Sequence, residues 1–328
     1  MSTGTSIPYH LRPNKAVERG LFIQALRRIN KFVNISDYRY IGFGGPFMED
    51  FKILHQELRI SDMICIEKDE NTRIRQKFNK PLSCIDFYER ACSSTDFINT
   101  HDFDRQSIVW LDFISFNDLN QQLSDVVRLI SKLSHGDIFK VTLNAHSPNL
   151  GKPEGDDDVM EYRLNRFKEL VTEEYESHEL NAELMHAKQF PNAVLASLKR
   201  AISKGMASAV DLQVVPINAF VYEDGQKMLT AMGIVLHKDQ IAEFYEKTSI
   251  SLWSYYSEGW ENIKNISLPA LSSRERLLVE QMLPGSNYDE IREMLGFYPA
   301  EKEVLAKEQM ENFISYYRTF PWFGKFTL

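Results

Sequence analysis

The order of apolar runs along residues 38–143 constrains the fold more tightly than any motif inside it. Five short β-prone runs, at 38–42, 62–67, 82–87, 107–113 and 138–143, are interleaved with helix-forming stretches at 47–58, 71–79 and 119–133. The last stretch carries Leu119, Leu123, Val126, Val127, Ile130 and Leu133 at helical spacing, and SIVWLDF at 107–113 reads as a buried strand. Strand and helix in alternation predict a parallel sheet covered by helices, because a parallel strand pair needs a long crossover between its members. Ligands of such sheets sit beyond the carboxyl ends of the strands.

After residue 143 the alternation stops. GKPEGDDD at 151–158 reads as a loop, 159–184 as an acidic helical stretch and 191–204 as a further helix. The triplet Asp156, Asp157, Asp158 is expected to be a solvated turn and helix start rather than a cation site. Two apolar runs, 211–222 and 227–237, are joined by Glu223-Asp224-Gly225-Gln226, a hairpin signal, and Pro216 predicts a bulge or an edge position. Residues 238–328 read as mainly helical and rich in aromatics. At the other end, two prolines in SIPYHLRPNK (6–15) keep that segment from starting as regular helix, Pro13 sits where a helix can begin, and a helical stripe follows at 16–32. The expected organisation is an N-terminal arm and helix (1–37), an α/β core (38–237) with a helical insertion (151–204), and a helical C-terminal region (238–328).

Composition excludes several classes. The 328 residues carry a formal charge of -8, so a broad phosphate-tracking surface is not expected. Charge is unevenly spread: residues 1–40 hold seven Lys/Arg against two acids, and 151–190 hold five against eleven. Three scattered cysteines, Cys65, Cys84 and Cys92, make neither a disulfide framework nor a Cys-rich zinc site. The N-terminus lacks an apolar signal core, and no run approaches the roughly 18 apolar residues of a membrane span, so a cytoplasmic protein is expected.

Candidate site residues follow from the strand ends. YRYIGFGGP places Gly42, Gly44 and Gly45 at a strand-to-helix turn, where glycine permits a tight turn and a close backbone approach to a ligand. Glu67 lies 25 residues after Gly42, at the end of the second run, where an acid can accept from ribose hydroxyls; its other reading is the start of the polar run Glu67-Lys68-Asp69-Glu70. At the end of the third run Asp86 can accept from an exocyclic amine and Phe87 can cover an adenine face, unless Asp86 caps the next helix. Asp112 ends the fourth run, with Ser115, Asn117 and Asp118 just beyond, and Asn144 follows the fifth. Arg12, Asn14 and Lys15 form either a basic entrance beside the pocket or a solvated helix cap. His146 is the general-base candidate, since an imidazole titrates near neutrality, and Asp112 is the alternative.

Five strand-helix units followed by a hairpin resemble the class I S-adenosylmethionine-dependent methyltransferases over residues 38–237, with IGFGG, ICIE, CIDF and VWLDF at the positions of their successive motifs. The resemblance implies a Rossmann-like sheet and S-adenosylmethionine as cofactor. It assigns Glu67 to the ribose, Asp86 and Phe87 to the adenine, and Asp112 to the methionine end and substrate. The glycine motif departs from the usual spacing, reading GFGG. No Pro-Cys follows the fourth strand and no Asp/Asn-Pro-Pro-Tyr/Phe is present, which argues against cytosine-C5 and the common adenine-N6 chemistry. VWLDF is similar to the metal-binding motif of catechol-type O-methyltransferases, but Leu143-Asn144-Ala145 stands where those enzymes have Asp-Asn, so no metal is expected. The expected reaction is methyl transfer to oxygen or nitrogen of an unidentified acceptor. The alternatives are a catalytically silent nucleotide-binding or interaction module and a nicotinamide-dependent oxidoreductase. Residues 271–297 resemble the first two helices of a LuxR-type helix-turn-helix, yet no basic recognition helix follows, so nucleic acid is not the favoured partner. The aromatic C-terminal region is instead a candidate surface for a protein partner or a second copy of the chain, and no membrane partner is expected.

Overall fold

The computed structural model describes residues 12–322; residues 6–11 of the proline-broken arm lie outside them. Helix α1 (Pro13–Ile29) precedes five parallel strands, β1 (Arg39–Gly42), β2 (Asp62–Cys65), β3 (Ile85–Phe87), β4 (Ser107–Asp112) and β5 (Ile138–Asn144). Between them run α2 (Glu49–Leu58), α3 (Glu70–Asn79), α4 (Ser94–Thr100) and α5 (Leu119–Lys132). Two helices, α6 (Val159–Tyr175) and α7 (Phe190–Gly205), lead to the hairpin β6 (Leu212–Glu223) and β7 (Lys227–His237). The C-terminal region holds α8 (Ile241–Thr248), β8 (Lys264–Ile266), α9 (Ser273–Met282), α10 (Tyr288–Leu295) and α11 (Glu303–Tyr316).

The eight strands form one sheet in the order β3-β2-β1-β4-β5-β7-β6-β8, with β7 antiparallel to both β5 and β6. The chain travels outward from β1 to β3 and then returns to β4, so the β1/β4 boundary is the topological switch point, where open α/β sheets bind ligands. This is a Rossmann-like sheet extended by an antiparallel hairpin. Alternate residues of each strand feed two cores, as the two-residue strand period requires. Tyr40, Ile108 and Trp110 face α1, α2 and the C-terminal helices, while Ile41, Val109 and Leu111 face α4 to α7.

Several boundaries move for local reasons. Phe47 and Met48 stand outside α2 because Met48 adopts a left-handed conformation at its N-cap. The acidic helix ends at Tyr175, not near 184, and a separate 3-10 turn forms at Ala182–Met185. Asp158 caps α6, accepting from the N–H groups of Met160 and Glu161. Helix α4 fills an interval that carries no strong periodicity in the sequence. The expected irregularity at Pro216 is a register shift between Pro216 and Asn218. The C-terminal region is not purely helical, since β8 adds a parallel edge strand beside β6. Both helices of the 271–297 segment form, each opened by a capping box at Ser272/Glu275 and Asn287/Glu290. The α11 that follows carries three glutamates and one lysine. Among the described residues no helix is long and apolar enough to cross a membrane.

Candidate functional site

The glycine turn after β1 is shaped mainly by the protein's own side chains. Gly44 and Gly45 adopt φ of 68° and 54°, a region costly for residues with a Cβ. A Cβ on Gly44 would stand 2.6 Å from the Phe51 ring, and one on Gly42 would stand 2.5 Å from the Tyr40 hydroxyl. Gly42 therefore lets the Tyr40 phenol reach toward the strand end. Helix α3 then fixes the turn: the buried Gln76 amide donates to the carbonyls of Phe43 (2.9 Å) and Gly45 (3.1 Å), and Asn79 donates to that of Pro46 (2.8 Å). Phe43 and Phe113 meet with ring centroids 5.8 Å apart, joining the turn to the end of β4.

Asp112 sits across the switch point from this turn. The ammonium of Lys15, on the first turn of α1, lies 2.8 Å from Asp112 Oδ2, with the two side chains 6% and 13% exposed. Asp112 Oδ1 is buried and has no hydrogen-bond partner among the described residues. Burial works to raise the Asp112 pKa, but the charge and hydrogen bond of Lys15, with Arg19 and Lys140 behind, hold it below the ordinary carboxylate range. The position of Lys15 is itself pinned, because its N–H donates to Asp224 in the β6/β7 turn (2.8 Å) and Asn14 donates to the Glu223 carbonyl and to Asp224. Beneath them lie two further buried pairs, Glu18 with Lys140 (2.7 Å) and Arg19 with Asp50. Lys140 Nζ also stands 3.4 Å from the centroid of the Trp110 ring. The phenols of Tyr40 and Tyr222 adjoin this cluster. Burial raises both pKa values, and the charge of Asp112 adds to the effect.

The other expected residues are distributed around this pair. Glu67 follows β2 by two residues, is half-buried, and accepts from the N–H of Asp69 at 2.9 Å. Burial lifts its pKa above the usual value, while hydrogen bonds from the backbone of Asp69 and Lys68 oppose the rise. Asp86 lies inside β3 and is exposed; it does not cap the next helix, whose N-cap is Ser93. Phe87 is half-buried against the core on the α1 side. Asn144 is buried and fully engaged, donating to Gln226 (2.7 Å) and the Ile114 carbonyl while accepting from the His146 N–H and from Asn149. His146 is half-buried, and its ring makes no hydrogen bond to a described residue. Lys15 and Asp112 are thus in direct contact. No group of three or more His, Cys, Asp or Glu placed to hold a metal ion occurs among the described residues.

Sequence reasoning overlooked Gln76, Asn79, Tyr40, Tyr222 and the two deeper ion pairs. A signal existed for one of these: Lys140 interrupts the otherwise apolar run of β5, and a lysine there needs a buried partner.

A family model described as "Putative O-methyltransferase" matches residues 7–328. The chain belongs to this O-methyltransferase family. Membership accords with the sheet order and hairpin described above. A search of curated proteins finds no match. Among solved structures, Trm1 from Pyrococcus horikoshii, determined with S-adenosyl-L-methionine, aligns at 12% identity and a TM-score of 0.46, over 70% of this chain and 57% of that one. The alignment therefore spans little more than half of Trm1. An O-methyltransferase from Bacillus cereus in complex with SAH aligns at 10% identity and a TM-score of 0.39, over 71% of this family member and 84% of that chain.

Proposed function

We propose that the protein transfers a methyl group from S-adenosylmethionine to an oxygen of its acceptor, at the strand ends that carry the glycine turn, Glu67 and Asp112. The observation that carries this reading is Asp112 itself, a carboxylate at the switch point held ionised by Lys15, with its second oxygen buried and without a hydrogen-bond partner among the described residues. Family membership supports oxygen as the receiving atom.

The residues present suit the cofactor. The first turn of α2, directly after the glycines, carries Glu49 and Asp50. Acids at a helix N-terminus oppose a phosphate there, which favours a phosphate-free cofactor over a nicotinamide dinucleotide. Glu67 would hold the ribose hydroxyls, Asp86 and Phe87 the adenine, the glycine turn the amino-acid portion, and Lys15 with Asp112 the methyl-donating end. When bound, S-adenosylmethionine supplies an electrophilic methyl group on a sulfonium. The protein's own task is then to orient the acceptor and remove its proton. Lys15 keeps Asp112 ionised and in place, and His146, whose ring makes no hydrogen bond to a described residue, would take the proton.

Calorimetry and turnover test the reading together. S-Adenosylmethionine and S-adenosylhomocysteine should bind the wild type, NAD should not, and Glu67→Ala should lose the affinity. Release of S-adenosylhomocysteine across hydroxyl- and amine-bearing acceptors identifies the atom methylated. Unchanged affinity in both Glu67→Ala and Gly44→Val would mean the pocket is elsewhere. Tight binding with no turnover on any acceptor would instead favour a silent binding module.

A further inference from the structure

A cavity lies at the far end of α1 from Lys15 and Asp112. It measures about 360 Å³ and opens between the C-terminal half of α1, the segment after α8 and the end of α11. That size falls within the usual range of small-ligand pockets, roughly 300–1,000 Å³. Arg28 and Arg318 both line it, and its walls include Trp253, Tyr255 and Tyr317. No Asp or Glu is among the lining residues, although the chain as a whole carries a charge of -8.

The two arginines distinguish this cavity. Neither makes an ion pair with a carboxylate among the described residues. Each lies by an aromatic side chain: Arg28 is 5.8 Å from the centroid of Trp253, and Arg318 is 5.3 Å from that of Tyr317 and donates through Nε to its hydroxyl at 3.1 Å. The walls are held firmly. Gln24 links them, donating to Thr319 Oγ1 (2.9 Å) and accepting from Trp253 Nε1 (3.3 Å). Tyr255 is fixed by donation to the Ser315 carbonyl and by stacking on Tyr316.

Planar guanidinium groups suit phosphate oxygens, and aromatic walls suit a flat heterocycle. We infer that this cavity binds a free mononucleotide, with the phosphate on Arg28 and Arg318 and the base against the aromatic wall. It is not an extension of the methyl-transfer pocket. Arg28 lies thirteen residues beyond Lys15 on the same helix, which places it about 20 Å away along the axis. A ligand here would act on the rigid helix that also presents Lys15 to Asp112.

The test titrates the full chain with AMP, GMP and UMP, following binding by calorimetry and by quenching of tryptophan fluorescence. Adenosine, inorganic phosphate and a 5′-phosphorylated trinucleotide serve as comparison ligands. At least one mononucleotide should bind, and adenosine and phosphate should each bind at least tenfold more weakly. Arg28→Ala and Arg318→Ala should each weaken the nucleotide about tenfold, the scale of a hydrogen bond to a charged group. Trp253→Phe should abolish the quenching. Neither arginine makes an ion pair among the described residues, so both variants should fold, and unchanged thermal unfolding checks this. Three results would overturn the inference: no mononucleotide binding at millimolar concentration, binding lost in Glu67→Ala but retained in the arginine variants, or a trinucleotide binding more than tenfold tighter than every mononucleotide.

Discussion

Replacing Lys15 with methionine tests the electrostatic logic of the site, because it removes the charge and keeps most of the aliphatic stem. At the observed separation of 2.8 Å, and with an effective dielectric near 20, the attraction between Lys15 and Asp112 is about 6 kcal/mol. Part of that offsets the desolvation of the ammonium, and Arg19 and Lys140 still act on Asp112 in the variant. The expected net loss of stability is about 3 kcal/mol at neutral pH, the lower end for breaking a buried pair. The sign with pH is specific. In the wild type Asp112 has a lowered pKa, so its contribution is present above the unfolded carboxylate value near 4 and is lost as pH falls through the folded value. Without Lys15, burial becomes the dominant influence, the folded pKa rises, and Asp112 becomes a penalty that grows as pH climbs above about 4. The gap between wild type and Lys15→Met should therefore be widest near about pH 7 and narrow toward about pH 4.5 in urea titrations. Adding Asp112→Asn to Lys15→Met should recover about half of the loss, since an amide is cheaper to leave buried than a charge. An equal loss at both pH values, or one below about 1 kcal/mol at each, would refute this account and reduce Lys15 to a packing residue.

Further outcomes follow from the same geometry. Glu67→Ala should weaken S-adenosylmethionine binding by about ten- to a hundredfold in calorimetry, the scale of one or two hydrogen bonds to a charged acceptor, with little change in urea midpoint. Gly44→Val should cost about 2–4 kcal/mol of stability, because it combines a β-branched residue at positive φ with a clash against Phe51. His146→Ala should lower turnover at saturating cofactor by about a hundredfold while leaving thermal unfolding unchanged, and a flattened pH-rate profile would mark the loss of a base. In alkali the buried tyrosines set the limit. Tyr38, Tyr40 and Tyr222 all have pKa values raised chiefly by burial, so they stay protonated in the fold while the unfolded chain ionises near pH 10. Stability should fall as pH rises past about 10, and Tyr222→Phe should make that fall shallower in melting curves.

The sheet was legible because its information is local and periodic. The runs at 107–113 and 138–143 are almost entirely apolar, and the Asp-Gly turn at 224–225 announces the hairpin within four residues. The strand-end positions of Gly42, Glu67, Asp112 and Asn144 then followed from element order. What escaped was everything joined across the chain. Lys15 meets Asp112 over a separation of 97 residues and Lys140 meets Glu18 over 122, and no pattern in either neighbourhood encodes the partner. Strand β8 escaped for a related reason: three residues, Lys-Asn-Ile, carry too little periodicity to register, and an edge strand forms there only because β6 is already in place to pair with it. The exposure of Asp86 depends likewise on the shortness of β3, which ends two residues after Ile85.

One consequence concerns the order in which the site is built. Gln76 and Asn79 on α3 close the glycine turn from one side of the sheet, and α1 closes Asp112 from the same face while itself tied to the β6/β7 turn. The surroundings of Asp112 are therefore assembled from the first helix, the fourth strand and the β6/β7 hairpin, three segments that span 209 residues of chain. Contacts of such sequence separation are costly in loop-closure entropy, which predicts that they form after β1, β2 and β4 have paired. The cluster of three cations and three anions around Trp110 should accordingly contribute little to the folding transition state and much to the barrier against unfolding. Lys15→Met would then accelerate unfolding in stopped-flow experiments while leaving the refolding rate almost unchanged, and a variant that slowed refolding instead would place α1 in the folding nucleus.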